Sequence, residues 1–293
     1  MPGTLAVRLG ATRVGELTNI AGDSNLFAFS DAYLEDAARP VLSQSLIDPS
    51  GRPRRRIPRT HVVAPAFFSN LLPEPDGLLR AMVASQYRIK STRDFPFLHA
   101  LGSDLPGAVE IEALGELRES PERFPDRGEL PTTTTPLRFS LAGLQLKFSV
   151  SMSRNRFTLP ARGEGSHWIV KLPTNAYSRL PENEYHVMRF AAAIGLNVPA
   201  TRLVDLSEID GLPQDLPELP LAEPRLAYAI ERFDRGPNGA RTHYEDLNQI
   251  IVMCALLPHR AAEAGSSPAI AHSCAPTARV GESPAPRSRR HGS

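Results

Sequence analysis

Lysine is nearly missing from this chain: of 33 basic residues only Lys90, Lys147 and Lys171 are lysine, and arginine supplies the rest. An ammonium is a compact point charge and a guanidinium a broad planar fork, so a lysine kept in such a background points to a site that needs the former, although a chance draw would give the same count. Cysteine is as scarce, and Cys254 and Cys274 make neither a disulfide framework nor a zinc ligand set. No apolar run approaches the roughly 18 residues that span a bilayer, and Arg8, Arg13 and Glu16 interrupt the N-terminus where a signal peptide would keep an apolar core. The net charge of +1 gives no global field to attract nucleic acid or an acidic membrane. These absences predict a soluble protein of a reducing cytoplasm with no membrane contact.

What is present is enough to bury a core: 293 residues, 41% of them apolar. Residues 4–18 alternate apolar and polar about Gly10, the pattern of a β-hairpin, and Leu26–Phe29 adds a strand. Asp31 is expected to cap a short helix over Ala32–Ala38, and Val41–Leu46 to form a further strand. Phe67, Phe68, Leu71 and Leu72, then Leu78, Leu79, Met82 and Val83, fall at helical spacing; a third short helix covers Pro96–Leu101, and Gly107–Ile111 returns to strand. The basic run from Arg52 to Arg59, with prolines interleaved and no aromatics to stack bases, reads as a phosphate contact or, more plainly, as a solvated loop.

Charges, prolines and the run Pro131-Thr132-Thr133-Thr134-Thr135-Pro136 mark residues 112–136 as a linker between an N-terminal subdomain, 1–111, and a second domain, 137–253. In the latter, Trp168–Pro173 reads as a buried strand carrying one cation, Glu182–Ile194 as a helix, Pro199–Leu206 and Leu226–Phe233 as strands, and Arg241–Met253 as the start of another helix. Beyond Tyr244 no aromatic residue remains, and the Ala, Ser, Pro and Arg composition of 254–293 predicts a disordered tail. The fold class expected is α+β.

Phosphoryl transfer needs backbone amides at the phosphates, a cation on a fixed strand, metal-holding carboxylates and a residue that orients the nucleophile. Ala142-Gly143 lets backbone approach a phosphate, with Gln145 and Lys147 as donors on the returning strand. Lys171, between Val170 and Leu172, is expected to point away from both into a cleft, with Glu184 on the next helix placed to pair with it.

Taken together, Ser140-Leu-Ala-Gly-Leu-Gln-Leu-Lys147, Ile169-Val-Lys-Leu-Pro173, Asn183-Glu-Tyr185, Gly195-Leu-Asn-Val-Pro199 and Glu231-Arg-Phe-Asp234 resemble, in order, the motifs of HipA-type serine/threonine kinases, toxins of bacterial toxin–antitoxin pairs. Phe67–Pro73 and Gly107–Val109 are similar to that family's N-terminal subdomain, and the likeness covers about Leu5 to Ile250. The resemblance implies a kinase N-lobe in which Ala142–Lys147 is the phosphate loop and Lys171 the phosphate-pairing lysine. It makes the backbone of Glu231, Arg232 and Phe233 the adenine contact and Ser140 the serine whose autophosphorylation displaces the loop. It also implies ATP and Mg2+ as cofactors, a protein substrate, and a HipB-like helix-turn-helix antitoxin as partner, with DNA reached only through it.

The chain departs from the family where the C-lobe should begin. No Asp-Gly-His-x-Lys-Asn-like motif is present, no lysine follows Lys171, and His259, His272 and His291 have no Asp or Asn partner at usable spacing. His243–Asn248 has the look of a kinase catalytic loop but reads as the amphipathic helix opening that lobe. The C-lobe is therefore expected to be largely missing, with no catalytic base or metal ligand, and the change near Ile251 is what translation of a G+C-rich gene in the wrong frame would give. The expectation is a kinase-family chain that transfers no phosphate; the alternative is a non-catalytic antitoxin-binding remnant or a pseudogene product.

Overall fold

A computed structural model describes residues 3–115, 145–159, 166–213, 216, 219, 225–247 and 249–250. Two sheets carry it. The first is antiparallel and five-stranded, in the order β4-β3-β2-β1-β5, built from β1 (Gly3–Leu9), β2 (Thr12–Ile20), β3 (Ser24–Phe29), β4 (Thr60–His61) and β5 (Val109–Ala113). The expected hairpin is there, and Gly10 makes its turn at φ 57°, a left-handed conformation that costs glycine nothing. Leu5, Val7 and Leu9 of β1, an interior strand, are buried. Strand β5 runs two residues into the stretch expected as linker, because Glu112 and Ala113 still pair with Ala6 and Leu5.

Four helices accompany this sheet: α1 (Asp31–Glu35), α2 (Ala66–Ser69), α3 (Leu78–Tyr87) and α4 (Asp94–Leu101). Phe67, Phe68, Leu71, Leu72, Leu79, Met82 and Val83 are all buried, and Phe68 packs on Phe27 of β3 with ring centres 4.8 Å apart. Arg80, on α3, lies among them almost fully buried and ion-paired to Asp94 at 2.7 Å.

Two local readings are corrected here. Helix α1 is capped by Ser30, whose hydroxyl accepts from the Tyr33 N–H, and it stops at Glu35. Residues 41–46 form no strand: the Ser43 hydroxyl accepts from the Ser45 N–H and turns the chain into a 3-10 turn at Gln44–Leu46, a side-chain bond that competes with sheet pairing.

The second sheet, β10-β7-β6-β8-β11-β9, joins β6 (Lys147–Ser153), β7 (Arg156–Thr158), β8 (Trp168–Lys171), β9 (Thr201–Asp205), β10 (Ile209–Asp210) and β11 (Leu226–Glu231). Helix α5 (Leu180–Ala193) packs on β11 and β9. The short strands β7 and β10 had no counterpart in the sequence reading. The helix expected from Arg241 begins only at Leu247: Asp246 and Gln249 bond reciprocally, backbone N–H to side-chain oxygen, both at 2.8 Å, which is a capping box and sets the start. Ser140, Ala142, Gly143 and the expected tail at 254–293 lie outside the described residues. Among those described, no helix is long and apolar enough to cross a membrane.

Candidate functional site

Strands β6 and β8 run antiparallel with Lys147 directly opposite Lys171, and on the other side of β8 Lys171 stands opposite Tyr228 of β11. Directly paired residues share a sheet face, so the three side chains form one row. Phe148, Val150 and Val170, on the alternate face, are fully buried. This is the orientation expected for Lys171.

Helix α5 brings Glu184 to the Lys171 ammonium, and the two form an ion pair with side chains 28% and 24% exposed. The Lys171 ammonium also lies 5.6 Å from the centre of the Tyr228 ring. Tyr228 is only 1% exposed, and its hydroxyl has no hydrogen-bond partner among the described residues. Burial, with the nearby Glu184 charge, pushes its pKa up to about 12, so at neutral pH it is a donor without an acceptor. Burial first, and then the Lys171 charge, pull Lys147 down to about 8 against the opposing pull of Glu184 and Glu74. The row thus holds two cations against one paired carboxylate, in a setting where like charges opposite one another are unfavourable. A polyanion would relieve it.

Gln145, expected as a phosphate donor, spends one amide N–H on the Leu172 carbonyl at 3.0 Å, tying the start of β6 to the end of β8. Its role there is to hold the two lysine-bearing strands in register.

At the far end of β11 the chain leaves the sheet into an open cleft of about 420 Å³ lined by Asn197, Pro199, Glu231, Arg232 and Phe233. Glu231 is opposite Trp168 where Tyr228 is opposite Lys171. Three strand residues, about 10 Å, therefore separate the cleft from the lysine row, a span that suits a nucleoside joining a base to its phosphates. The Glu231 and Arg232 N–H groups are already committed to the carbonyls of Ala200 and His167. The Phe233 N–H makes no hydrogen bond among the described residues and is the donor left for a ligand.

The Arg232 backbone lines the cleft, whereas its side chain, 1% exposed, turns into an ion cluster that the sequence did not disclose. Arg232, Arg235 and Arg241 converge with Asp104, Asp234 and Glu110: Arg235 reaches Asp104 and Asp234 at 2.7 Å each, Arg232 reaches Asp234 at 2.8 Å, and Arg241 reaches Glu110 at 2.9 Å. Arg232 also donates to the Ser149 hydroxyl at 2.9 Å. Burial raises the Asp234 carboxyl, but Arg232, Arg235 and the Gly107 N–H outweigh it and hold its pKa below the usual range. The alternation of Arg232, Asp234, Arg235 and Arg241 just after a buried strand was the available signal, since charges that follow a core strand must find partners or water.

The same cluster is followed by a strap that fastens to the 3-10 turn of the N-terminal subdomain. His243 contacts the Leu42 carbonyl through Nε2 at 2.8 Å, the Gln44 N–H donates to Glu245 at 2.8 Å, and the Tyr244 ring packs on Phe233 with centres 4.8 Å apart. Residues 243–246 are a docking segment, and the helix expected across 243–248 begins only beyond them.

A mixed sheet with a strand lysine held by a helix glutamate, next to a cleft where the neighbouring strand ends, defines a kinase-like protein. The chain belongs to the HipA-type family. The model described as "HipA-like C-terminal domain" matches residues 139–282 and that described as "HipA N-terminal domain" matches 5–112, the first running past Met253 into the segment expected as a non-family tail. "Putative kinase Y4dM" of Sinorhizobium fredii is 45% identical over 84% of this chain and 59% of its own length. The serine/threonine-protein kinase toxin HipA of Shewanella oneidensis is 25% identical over 79% of this chain and 50% of its own. A solved complex of Shewanella oneidensis HipA, HipB and operator DNA contains a chain of the same fold, with a TM-score of 0.50 and 21% identity over 82% of this chain and 54% of that one. The chain therefore spans between half and three-fifths of the length of these relatives.

Proposed function

We propose that this chain is the nucleotide-gripping part of a HipA-type serine/threonine kinase toxin, with an N-terminal subdomain at 1–111 and the nucleotide-binding motifs within 137–253. The observation that carries the reading is the row of Lys147 and Lys171 with Glu184 bonded to Lys171, about three strand residues from an open cleft at Glu231–Phe233. In this reading Lys147 and Lys171 hold the phosphates and the Phe233 N–H meets the adenine edge. Ala142 and Gly143 close over the phosphates, and Ser140 is the autophosphorylation position; these three rest on family likeness alone. A phosphate on Ser140 would add nearly two negative charges beside the nucleotide's own, which is the physical basis of a switch.

ATP fits the residues present. Mg2+ finds no holder in them: among the described residues no group of three or more His, Cys, Asp or Glu could bind a metal ion, so a Mg2+ would arrive on the phosphates. Without a base or a metal-holding pair this stretch by itself transfers no phosphate, since those groups supply several kcal/mol of transition-state stabilisation. The partner we carry over is a HipB-like helix-turn-helix protein, on the strength of the Shewanella oneidensis complex. The test is calorimetric titration of the chain with ATP beside an assay with radiolabelled ATP: binding without label on Ser140 is expected. Absence of binding, or autophosphorylation at the rate of a full-length relative, would overturn the reading.

A further inference from the structure

We propose that Asp104 and Gly107, in the N-terminal subdomain, are positioning residues for the base end of the cleft: they fix the segment from Arg232 to Tyr244 and so set where Phe233 stands. The inference rests on reading the cleft as a nucleotide site and adds to it a second wall. Sequence likeness placed all the gripping residues within 137–253.

The geometry runs in one continuous chain of contacts. The Asp104 carboxylate lies 2.7 Å from Arg235 and 3.3 Å from Arg232, and it accepts from the Ser166 hydroxyl at 3.2 Å. The Gly107 N–H donates to Asp234 at 2.9 Å, and the Gly107 carbonyl accepts from Arg235 at 2.9 Å. Residues 232, 234 and 235 are thus bonded, on both sides of Phe233, to the turn at 104–107 that precedes β5. Phe233 itself is 63% exposed and lines the cleft, and among the described residues it is held by its backbone neighbours and Tyr244.

Gly107 also sits under Tyr244. At φ +69°, a conformation that side-chain-bearing residues rarely adopt, a Cβ there would come within 3.2 Å of the Tyr244 nitrogen and 3.4 Å of the His243 ring. The Gly107–Val109 motif, which the phosphate chemistry leaves unexplained, acquires a role: it lets the strap lie close enough for Tyr244 to back Phe233. An adenine base would meet the exposed side of Phe233, whereas the phosphates would meet the lysine row at the other end. Displacement at Gly107 should therefore act on the base and spare the phosphates.

The experiment titrates the full chain and two variants, Gly107→Ala and Tyr244→Ala, with ATP and separately with inorganic tripolyphosphate, thermal melting confirming that each variant folds. The expected result is an ATP affinity at least about tenfold weaker in the folded variants, with tripolyphosphate affinity within about twofold of the unsubstituted chain. Tyr244→Ala leaves the left-handed backbone at Gly107 untouched and serves if Gly107→Ala does not fold. Variants with unchanged ATP affinity overturn the positioning role and leave the nucleotide reading standing. Equal losses for both ligands also overturn it, since they mark a general structural effect. An unsubstituted chain that binds neither ligand removes the nucleotide reading, and this inference with it.

Discussion

Lys147 and Lys171 occupy directly paired positions of the β6–β8 ladder, two cations on one sheet face with a single carboxylate, Glu184, bonded to the second of them. Cross-strand like charges destabilise a ladder by tenths of a kcal/mol and more when part-buried. A bound polyanion would offset that repulsion.

Lys147 should make both stability and nucleotide affinity depend on pH, in opposite senses. Its folded pKa, near 8, lies below the ordinary 10.5. Between those values the unfolded chain binds more protons, so this group's contribution to stability improves as pH rises through that window and is flat below it. The polyanion needs the charged form, so ATP affinity is expected to fall between about pH 7 and pH 9. Titration calorimetry at the two pH values, beside Lys147→Arg, checks this; a fall of the same size in the variant would assign the effect to another group.

Lys171→Met leaves one cation in the row. ATP affinity should weaken about tenfold or more, equivalent to ~1.4 kcal/mol. Burial would still depress the Lys147 pKa, but the repulsion from Lys171 would be gone, so its midpoint should move upward. Carbon-13 NMR of reductively methylated lysines, in the starting chain and the variant, follows that midpoint directly. An unmoved resonance would show that the two ammonium groups are not coupled.

In the N-terminal subdomain the sensitive point is Arg80. Both it and Asp94 have side chains only 2% exposed, and Arg80 stacks over Phe97 at 4.2 Å while donating to the Pro73 and Ser91 carbonyls. Removing the carboxylate strands a buried guanidinium, at a cost of about 3–5 kcal/mol. Urea denaturation of Asp94→Ala should show a loss of that size. A loss under 1 kcal/mol would mean that the carbonyls alone satisfy the arginine.

Strands and helices with clean apolar periods were legible in the sequence: β1 through β3, α3, β8, α5 and β11 all follow from alternation or from i, i+4 spacing. That Lys171 points away from Val170 and Leu172 was legible too, because a strand's period fixes which side chains share a face; that Lys147 stands directly opposite it was not, because one strand's period does not set cross-strand register. What escaped was set by polar contact, local in one case and long-range in the others. Residues 41–46 have strand-like composition, yet a serine hydroxyl bonds the local backbone first. Residues 241–246 have helical spacing, yet Arg241, His243 and Glu245 find partners at Glu110, Leu42 and Gln44, as many as 201 residues away. The motif at Arg232 spoke only for its backbone, and its side chain serves a buried ion cluster that no local pattern disclosed. No local pattern encodes a partner more than a hundred residues distant.

The ion cluster also bears on what would happen to a chain cleaved in its middle. Asp104 and Glu110 belong to the stretch before residue 115, whereas Arg232, Asp234, Arg235 and Arg241 belong to the stretch after residue 145. At this contact the first piece carries two negative charges and the second a surplus of two positive ones, counted as three guanidinium groups less one carboxylate. Neither piece could keep its share dry alone without stranding a charge. Made separately, the two should recognise each other by charge and reassemble, as split reporter proteins do, with a rate of association that declines as salt is added.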